Sequence, residues 1–396
     1  MSRIVVTGMG IISAIGNSVA ENHLALKESR SGIGVLELFP SRYAGILPFG
    51  EIKLATATLK QKLKATAPGI TRTSLLAQHA FEEAVLQARL SEAILRAADT
   101  ALIGATTVGG MCYTDELYHD ANKSEQGSQF LSNYDCASVN IYLQQQYAIG
   151  GVINTINTAC SSSANAIMYG ARLIKAGLAK RAIVGGVDSL AKFTINGFNA
   201  LHILSAELCT PFDEDRKGLN LGEAAGFLVL EKEEDAIHKT QFAALTGFGN
   251  TNDAYHPSSL SENGEGPYLS MKQALEMANL LPESIGFINA HGTGTENNDL
   301  VESVAMLRLF GTVPDFASTK ANTGHTLGAA GAIEAIYSIL SLSEQEIYPG
   351  LHWQQPIVAT GLQPVLQYQK KSLTHVMSNS FGFGGNCSSL IFSKTR

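Results

Sequence analysis

No apolar run in the 396-residue chain approaches the roughly 18 residues needed to cross a membrane as a helix. The longest, such as Ala224–Leu230, stop at charges such as Glu231. The N-terminal residues enter a strand-like run at Ile4–Val6 without the apolar core and cleavage site of a secretory leader. Charged residues are sparse at 16% against 45% hydrophobic, which excludes a disordered chain. The 38 glycines follow no collagen period. A net charge of −7 gives no electrostatic reason to bind nucleic acid. No CxxC pair occurs. Cys112, Cys136, Cys160, Cys209 and Cys387 are odd in number and widely spaced, which argues against a disulfide framework and a structural zinc site. A reduced, cytoplasmic compartment is expected.

What is present is alternation. Ile4–Val6, Ala101–Ile103, Ala182–Val184 and Phe227–Leu230 read as buried strands, and Leu75–Leu90 and Ser161–Lys175 carry apolar residues at helical spacing. The pattern predicts an α/β layered fold. The chain also resembles itself. Thr7-Gly-Met-Gly returns as Thr246-Gly-Phe-Gly, Ala101-Leu-Ile-Gly-Ala as Gly286-Phe-Ile-Asn-Ala, and Asn157-Thr-Ala-Cys as Asn322-Thr-Gly-His, in the same order. A duplicated unit follows, with a first half over residues 1–240 and a second over 241–396. The first half carries insertions roughly within 20–75 and 110–150, the kind of material that caps a site or builds an interface.

Each half places one reactive residue at a corresponding turn. Cys160 opens a helix whose N–H groups and dipole favour thiolate and an adjacent oxyanion. Local context alone leaves open whether it is a nucleophile or a small residue packing a helix start. His291 lies in His-Gly-Thr-Gly-Thr, and His325 in Thr-Gly-His-Thr-Leu-Gly-Ala-Ala-Gly. A neutral imidazole there can donate a hydrogen bond to a thioester carbonyl. Lys320 and Glu334 flank His325 and, if buried, would pair and orient it; by position alone they read as surface charges. No spacing signature for a metal is present, and none is expected.

At this point four motifs resemble the elongating β-ketoacyl-acyl carrier protein synthases: Asn157-Thr-Ala-Cys-Ser-Ser-Ser, His291-Gly-Thr-Gly-Thr, Ser318-Thr-Lys-Ala-Asn-Thr-Gly-His-Thr-Leu-Gly-Ala-Ala-Gly and Asn379-Ser-Phe-Gly-Phe-Gly-Gly. The resemblance spans the chain and implies a thiolase-like fold, a duplicated five-layer αβαβα architecture with mixed sheets. It implies that Cys160 accepts the acyl group, that His291 and His325 bind a malonyl thioester, and that Lys320 and Glu334 support them. It also implies that the N–H groups of Cys160 and Phe383 form an oxyanion hole, with Phe383 gating the acyl pocket. Phe381 joins Phe383 in substrate binding, and Thr293 and Thr295 contact the phosphopantetheine arm. No cofactor is implied beyond the phosphopantetheine carried by substrates. The expected partners are an acidic acyl carrier protein, met by Arg216, Arg72 and Lys64, and a second subunit, identical or homologous.

The sequence departs from the common fatty-acid pattern. Ser161-Ser-Ser after the nucleophile resembles polyketide-type synthases, Asn386-Cys387 stands where Thr-Asn is usual, Thr210 replaces an Arg and Asn298 a Gly. A polyketide or polyene-lipid pathway therefore stands beside fatty-acid elongation. A thiolase would use a second cysteine, for which Cys387 is available, but lacks the second histidine motif. A silent chain-length-factor subunit normally lacks the nucleophile that this chain has.

Overall fold

The structure, a computed structural model, describes residues 3–123, 125, 127–128 and 130–395. Ten strands build its main sheet. They are β1 (Ile4–Ser13), β2 (Thr100–Ala105), β3 (Ile153–Ile156), β4 (Arg181–Asp188), β5 (Ala224–Lys232), β6 (Ala243–Asn252), β7 (Phe287–Asn289), β8 (Asp315–Ala317), β9 (His375–Phe381) and β10 (Asn386–Ser393). Their order is β3-β2-β4-β5-β1-β6-β10-β9-β7-β8. It reads equivalently from both ends. The outer steps β3-β2-β4 and β9-β7-β8 are parallel, and the steps between are antiparallel. The centre is the antiparallel meeting of β1 and β6 through Ile4↔Leu245, Val5↔Ala244 and Val6↔Ala243. The two Thr-Gly-X-Gly segments lie on these two central strands.

The helices that frame the site are α1 (Arg72–Gln87), α2 (Ser162–Lys175), α3 (Lys192–Ala200), α4 (Glu265–Ala278), α5 (Glu296–Phe310) and α6 (Ala330–Glu344). All pack on the sheet except α3, whose Ile195 joins a cluster with Leu190, Leu219 and Leu221. Strand alternation assigns the layers. Ala182, Val184, Leu228 and Leu230 face a core shared with α2 and α6. Their neighbours Ile183, Val187, Phe227 and Val229 face α1. In the second half Phe287, Val376, Leu390 and Phe392 face the same central core, while Ile288, Met377 and Ile391 pack against α4 and α5. Helices, one half of the sheet, central helices, the other half of the sheet and helices make the expected five layers. Strands buried on both faces read as unbroken apolar runs, which is why they stand out in the sequence.

The predicted helix at 75–90 begins earlier, at Arg72, because Thr71 caps it by accepting from the Ser74 N–H. It ends at Gln87, and Arg89 then turns with φ of +53°. Centrally, α2 and α6 approach backbone to backbone. A Cβ on Gly331 would lie 2.6 Å from the Ala164 nitrogen. Of the two insertions, the first supplies helices Val19–Lys27 and Thr56–Lys62 and the loop between them. The second supplies helices Thr114–Lys123 and Ser138–Tyr147, with positions 124, 126 and 129 outside the described residues. Among the described residues, no helix is long and apolar enough to cross a membrane.

Candidate active site

Cys160 sits two residues before α2 and is 5% exposed. The turn that delivers it is strained: Ala159 adopts φ of +55°, a region a β-carbon disfavours. Gly382 passes so close that a side chain there would meet the Thr158 carbonyl at 2.6 Å and the Cys160 nitrogen at 3.2 Å. This approach carries the Phe383 N–H to the sulfur. Burial pushes the thiol up to about 11, while Lys320 and the Phe383 N–H pull it down and Glu334 raises it again. Burial thus works against the tilt toward thiolate expected at a helix start. A helix start and one cation do not offset full burial of the sulfur.

Both histidines follow the ends of second-half strands. His291 stands two residues after β7, His325 precedes α6, and each is at most 2% exposed. His325 Nε2 lies 3.0 Å from Cys160 Sγ. The two imidazoles meet edge to face with centroids 5.5 Å apart. Their tautomers follow from their neighbours. The Leu327 N–H donates to His325 Nδ1 at 3.3 Å, and the Lys320 ammonium stands 3.3 Å from His291 Nδ1. An accepting Nδ1 places the hydrogen of a neutral ring on Nε2, so both rings present N–H donors to the space above the sulfur. Burial holds both imidazoles well below their ordinary pKa, with Lys320 adding to this in each and His325 adding further at His291. The Cys160, His291 and His325 donor atoms lie within 4.8 Å of one another, a spacing that suits a metal. Yet a metal needs lone pairs where this tautomer places hydrogens.

Lys320 and Glu334 are buried and form an ion pair. Their target differs from the local reading, which gave them to His325 alone, and agrees with the resemblance, which gave them to both histidines. Lys320 also donates to the His291 carbonyl and faces its ring, so it orients His291 rather than His325. Burial raises Glu334 to about 7 against the pull of Lys320.

Two carboxylates escaped the sequence reading. Glu302 accepts from the His291 and Gly292 N–H groups, both at 2.9 Å, and from Asn379. Asp299 accepts from the Phe212, Thr293 and Gly294 N–H groups. Together they hold the His-Gly-Thr-Gly loop from beneath. The available signal was their three-residue spacing at the start of α5, which puts both on the face that buries Ser303 and Met306.

A cleft of about 760 Å³ opens above these groups, lined by Cys160, His291, His325, Thr293, Thr295, Phe381 and Phe383 among others. The Thr293 and Thr295 hydroxyls are 2.7 Å apart. Phe381 packs its ring 5.7 Å from that of His291, and Phe383 stacks on Phe198 of α3 at 5.8 Å. The same helix gives Phe193 and Gly197 to a second cavity of about 930 Å³, shared with Leu38, Phe39, Met111 and Leu190.

The three basic residues expected at a carrier surface diverge. Lys64 is exposed. Arg216 is half-buried at the cleft wall and donates to the carbonyls of Asp213, Thr295 and Glu296. Arg72 is not a surface group. Its guanidinium forks onto Glu223 at 2.6 and 2.9 Å and donates to the Ile52 and Leu54 carbonyls and the Thr56 hydroxyl, so all five N–H donors are taken and none is left for a partner. Cys387, the second thiol a thiolase would need, lies in a separate apolar cluster with Leu260, Val301 and Phe381 and faces the Gly385 carbonyl.

Comparison with known proteins gives the same picture. Residues 1–236 match the family described as beta-ketoacyl synthase, N-terminal domain, and residues 242–354 its C-terminal domain. A 3-oxoacyl-[acyl-carrier-protein] synthase 2 of Vibrio cholerae is 32% identical over 99% of this chain and 99% of its own. The ishigamide ketosynthase/chain length factor superimposes with a TM-score of 0.94 at 28% identity, covering all of both chains. A ketosynthase in complex with its chain length factor from Xenorhabdus doucetiae does so at 0.85 and 32% identity, covering 100% of this chain and 98% of its own. The two family matches and the full-length likeness to named relatives together cover nearly the whole chain, which belongs to the β-ketoacyl synthase family.

Proposed function

We propose that the protein joins an acyl group held on Cys160 to a malonyl unit with loss of CO2, releasing a 3-oxoacyl thioester two carbons longer on an acyl carrier protein. The observation that carries this reading is the convergence at the floor of the cleft of one thiol and two neutral imidazoles, a nitrogen of each ring and the sulfur lying within 4.8 Å of one another. In the first half-reaction the Cys160 sulfur attacks the thioester carbonyl. The oxyanion is received by the N–H groups of Cys160 and Phe383, and the carrier thiol leaves with the proton that the cysteine gives up. The acyl chain runs past Phe383 and Phe198 toward the second cavity. In the second half-reaction the malonyl thioester oxygen accepts from His291 and His325. The C–C bond to the carboxylate breaks, its electron pair forms the enolate, and CO2 departs. The enolate carbon attacks the acyl-cysteine, and collapse of the adduct returns the cysteine sulfur as leaving group. Thr293 and Thr295 contact the phosphopantetheine arm, and Arg216 and Lys64 meet the carrier. Decarboxylation supplies the driving force, so the proposed reaction draws on no metal or organic cofactor.

A second subunit completes the reading, either a copy of this chain or a homologous chain-length-factor partner. The Ser161-Ser-Ser run and the likeness to two ketosynthases described with chain length factors favour the heterodimer. Co-purification with a homologue that lacks the cysteine tests it. For the chemistry, mass spectrometry after incubation with acyl-carriers of varied length should find the acyl mass on Cys160, with the chain lengths accepted reporting the substrate. Cys160→Ala should abolish both the adduct and the 3-oxoacyl product. Labelling that survives in this variant would overturn the assignment.

A further inference from the structure

Asn386 stands where the resembled family usually has threonine, and the mechanism above does not use it. It is the first residue of β10 and follows directly after the Phe383–Gly385 turn. Its Oδ1 lies 2.7 Å from Ser161 Oγ, 2.8 Å from Asn165 Nδ2 and 3.0 Å from Asn250 Nδ2. These partners come from two elements: Ser161 stands at the N-cap of α2 and Asn165 lies in its first turn, while Asn250 lies on β6. The Ser161 proton is shared with the Thr158 carbonyl at 2.8 Å, and Asn165 also donates to Thr158 Oγ1. One amide oxygen therefore gathers the strained nucleophile turn and the helix it starts. On its outer side the Phe383 turn is tied elsewhere, by the Gly384 N–H to the Pro257 carbonyl and by the Asp253 N–H to the Gly385 carbonyl. The Asn386 side chain is the tie that faces the cysteine.

We propose that Asn386 is a positioning residue that, with Ser161, sets the Phe383 N–H against the Cys160 sulfur and so aligns the oxyanion hole for acyl transfer. The reasoning is geometric. The two oxyanion donors sit on different segments, the Cys160 N–H on the nucleophile turn and the Phe383 N–H on the 382–385 turn. They act together only if those segments keep one register, and an oxyanion donor displaced by about 1 Å loses much of its effect. The histidines lie on neither segment. Loss of the Asn386 tie therefore affects acyl transfer and leaves malonyl decarboxylation intact.

This rests on the proposed function, and the test separates the two. In Asn386→Leu, which keeps size and removes the acceptor, the rate of Cys160 acylation should fall at least tenfold, while malonyl-carrier decarboxylation stays within twofold of the parent protein. Iodoacetamide alkylation of Cys160 at pH 8 should fall at least threefold, with its pH profile displaced upward, because the thiolate loses a donor. Ser161→Ala should move the same quantities in the same direction by a smaller factor, and it decides the matter if the leucine variant does not fold. Acylation within twofold of the parent in a folded variant, or decarboxylation lost in parallel, would overturn the proposal. Alkylation needs no carrier, so it reports on Asn386 even if the unsubstituted protein proves to accept no acyl-carrier.

Discussion

Burial that pushes the Cys160 thiol up to about 11 makes it a weak nucleophile at rest and a selective one. Below that value the thiolate fraction gains about tenfold per pH unit. Alkylation of the resting protein should therefore keep rising from pH 7 through 9 with no plateau near 8.5, and a plateau there would mean the sulfur is better solvated than its position implies. The imidazoles behave oppositely. Their pKa values lie well below 6.5, so both are already neutral at pH 6. Decarboxylation should be flat between pH 6 and 8. A mechanism needing an imidazolium would instead lose rate as pH rises through 6.5. At this scale the lysine–glutamate pair entered only through the family resemblance, since by position both read as surface charges, while glycine-rich and small-residue motifs made the cysteine and both histidines legible. The histidine that Lys320 serves was not. His325 is five residues away in sequence, yet folding brings the ammonium to His291, 29 residues distant. Arg72 misled for a related reason: nothing local announces Glu223, 151 positions on, which consumes its donors.

Elements were more legible than their ends. The strands at 4–6, 101–103, 182–184 and 227–230 were all found as parts of longer ones, the first as the opening three residues of β1 and the rest as inner segments. The closeness of α2 and α6 left one trace, the glycines after His325. These helices carry the two halves' reactive residues at their starts, so their spacing sets the distance from sulfur to imidazole. Gly331→Ala tests this without touching the machinery. A Cβ 2.6 Å from the Ala164 nitrogen must push the helices apart, at a cost of about 1–3 kcal/mol seen as a lower Tm. Acylation and decarboxylation should both decline as Cys160 and His325 separate. An unchanged Tm would mean that the central layer yields more easily than close packing implies.

For the molecule as a whole, the net charge of −7 works against the acidic carrier that the proposed function calls for. Docking then depends on local cations. Lys64→Glu should raise KM for carrier-borne substrates several-fold and flatten its salt dependence, leaving kcat and Cys160 alkylation unchanged. Arg72→Ala should act differently. It strands Glu223 in a buried site and lowers stability by about 3–5 kcal/mol, read by denaturant titration. The doubled architecture was legible in three short matches because each lies where a strand or turn had to be kept. The symmetry of the strand order was not, since pairing partners lie as far apart as β6 and β10. That division of the site between halves also has a consequence in time. Cys160 leaves the ribosome 165 residues before His325, roughly 8–30 s earlier at ordinary synthesis rates. Until the later segments arrive, the thiol has neither its imidazoles nor the Phe383 N–H beside it, and it also lacks the burial that suppresses its ionisation, so the newborn chain carries it open to alkylation before the cleft exists.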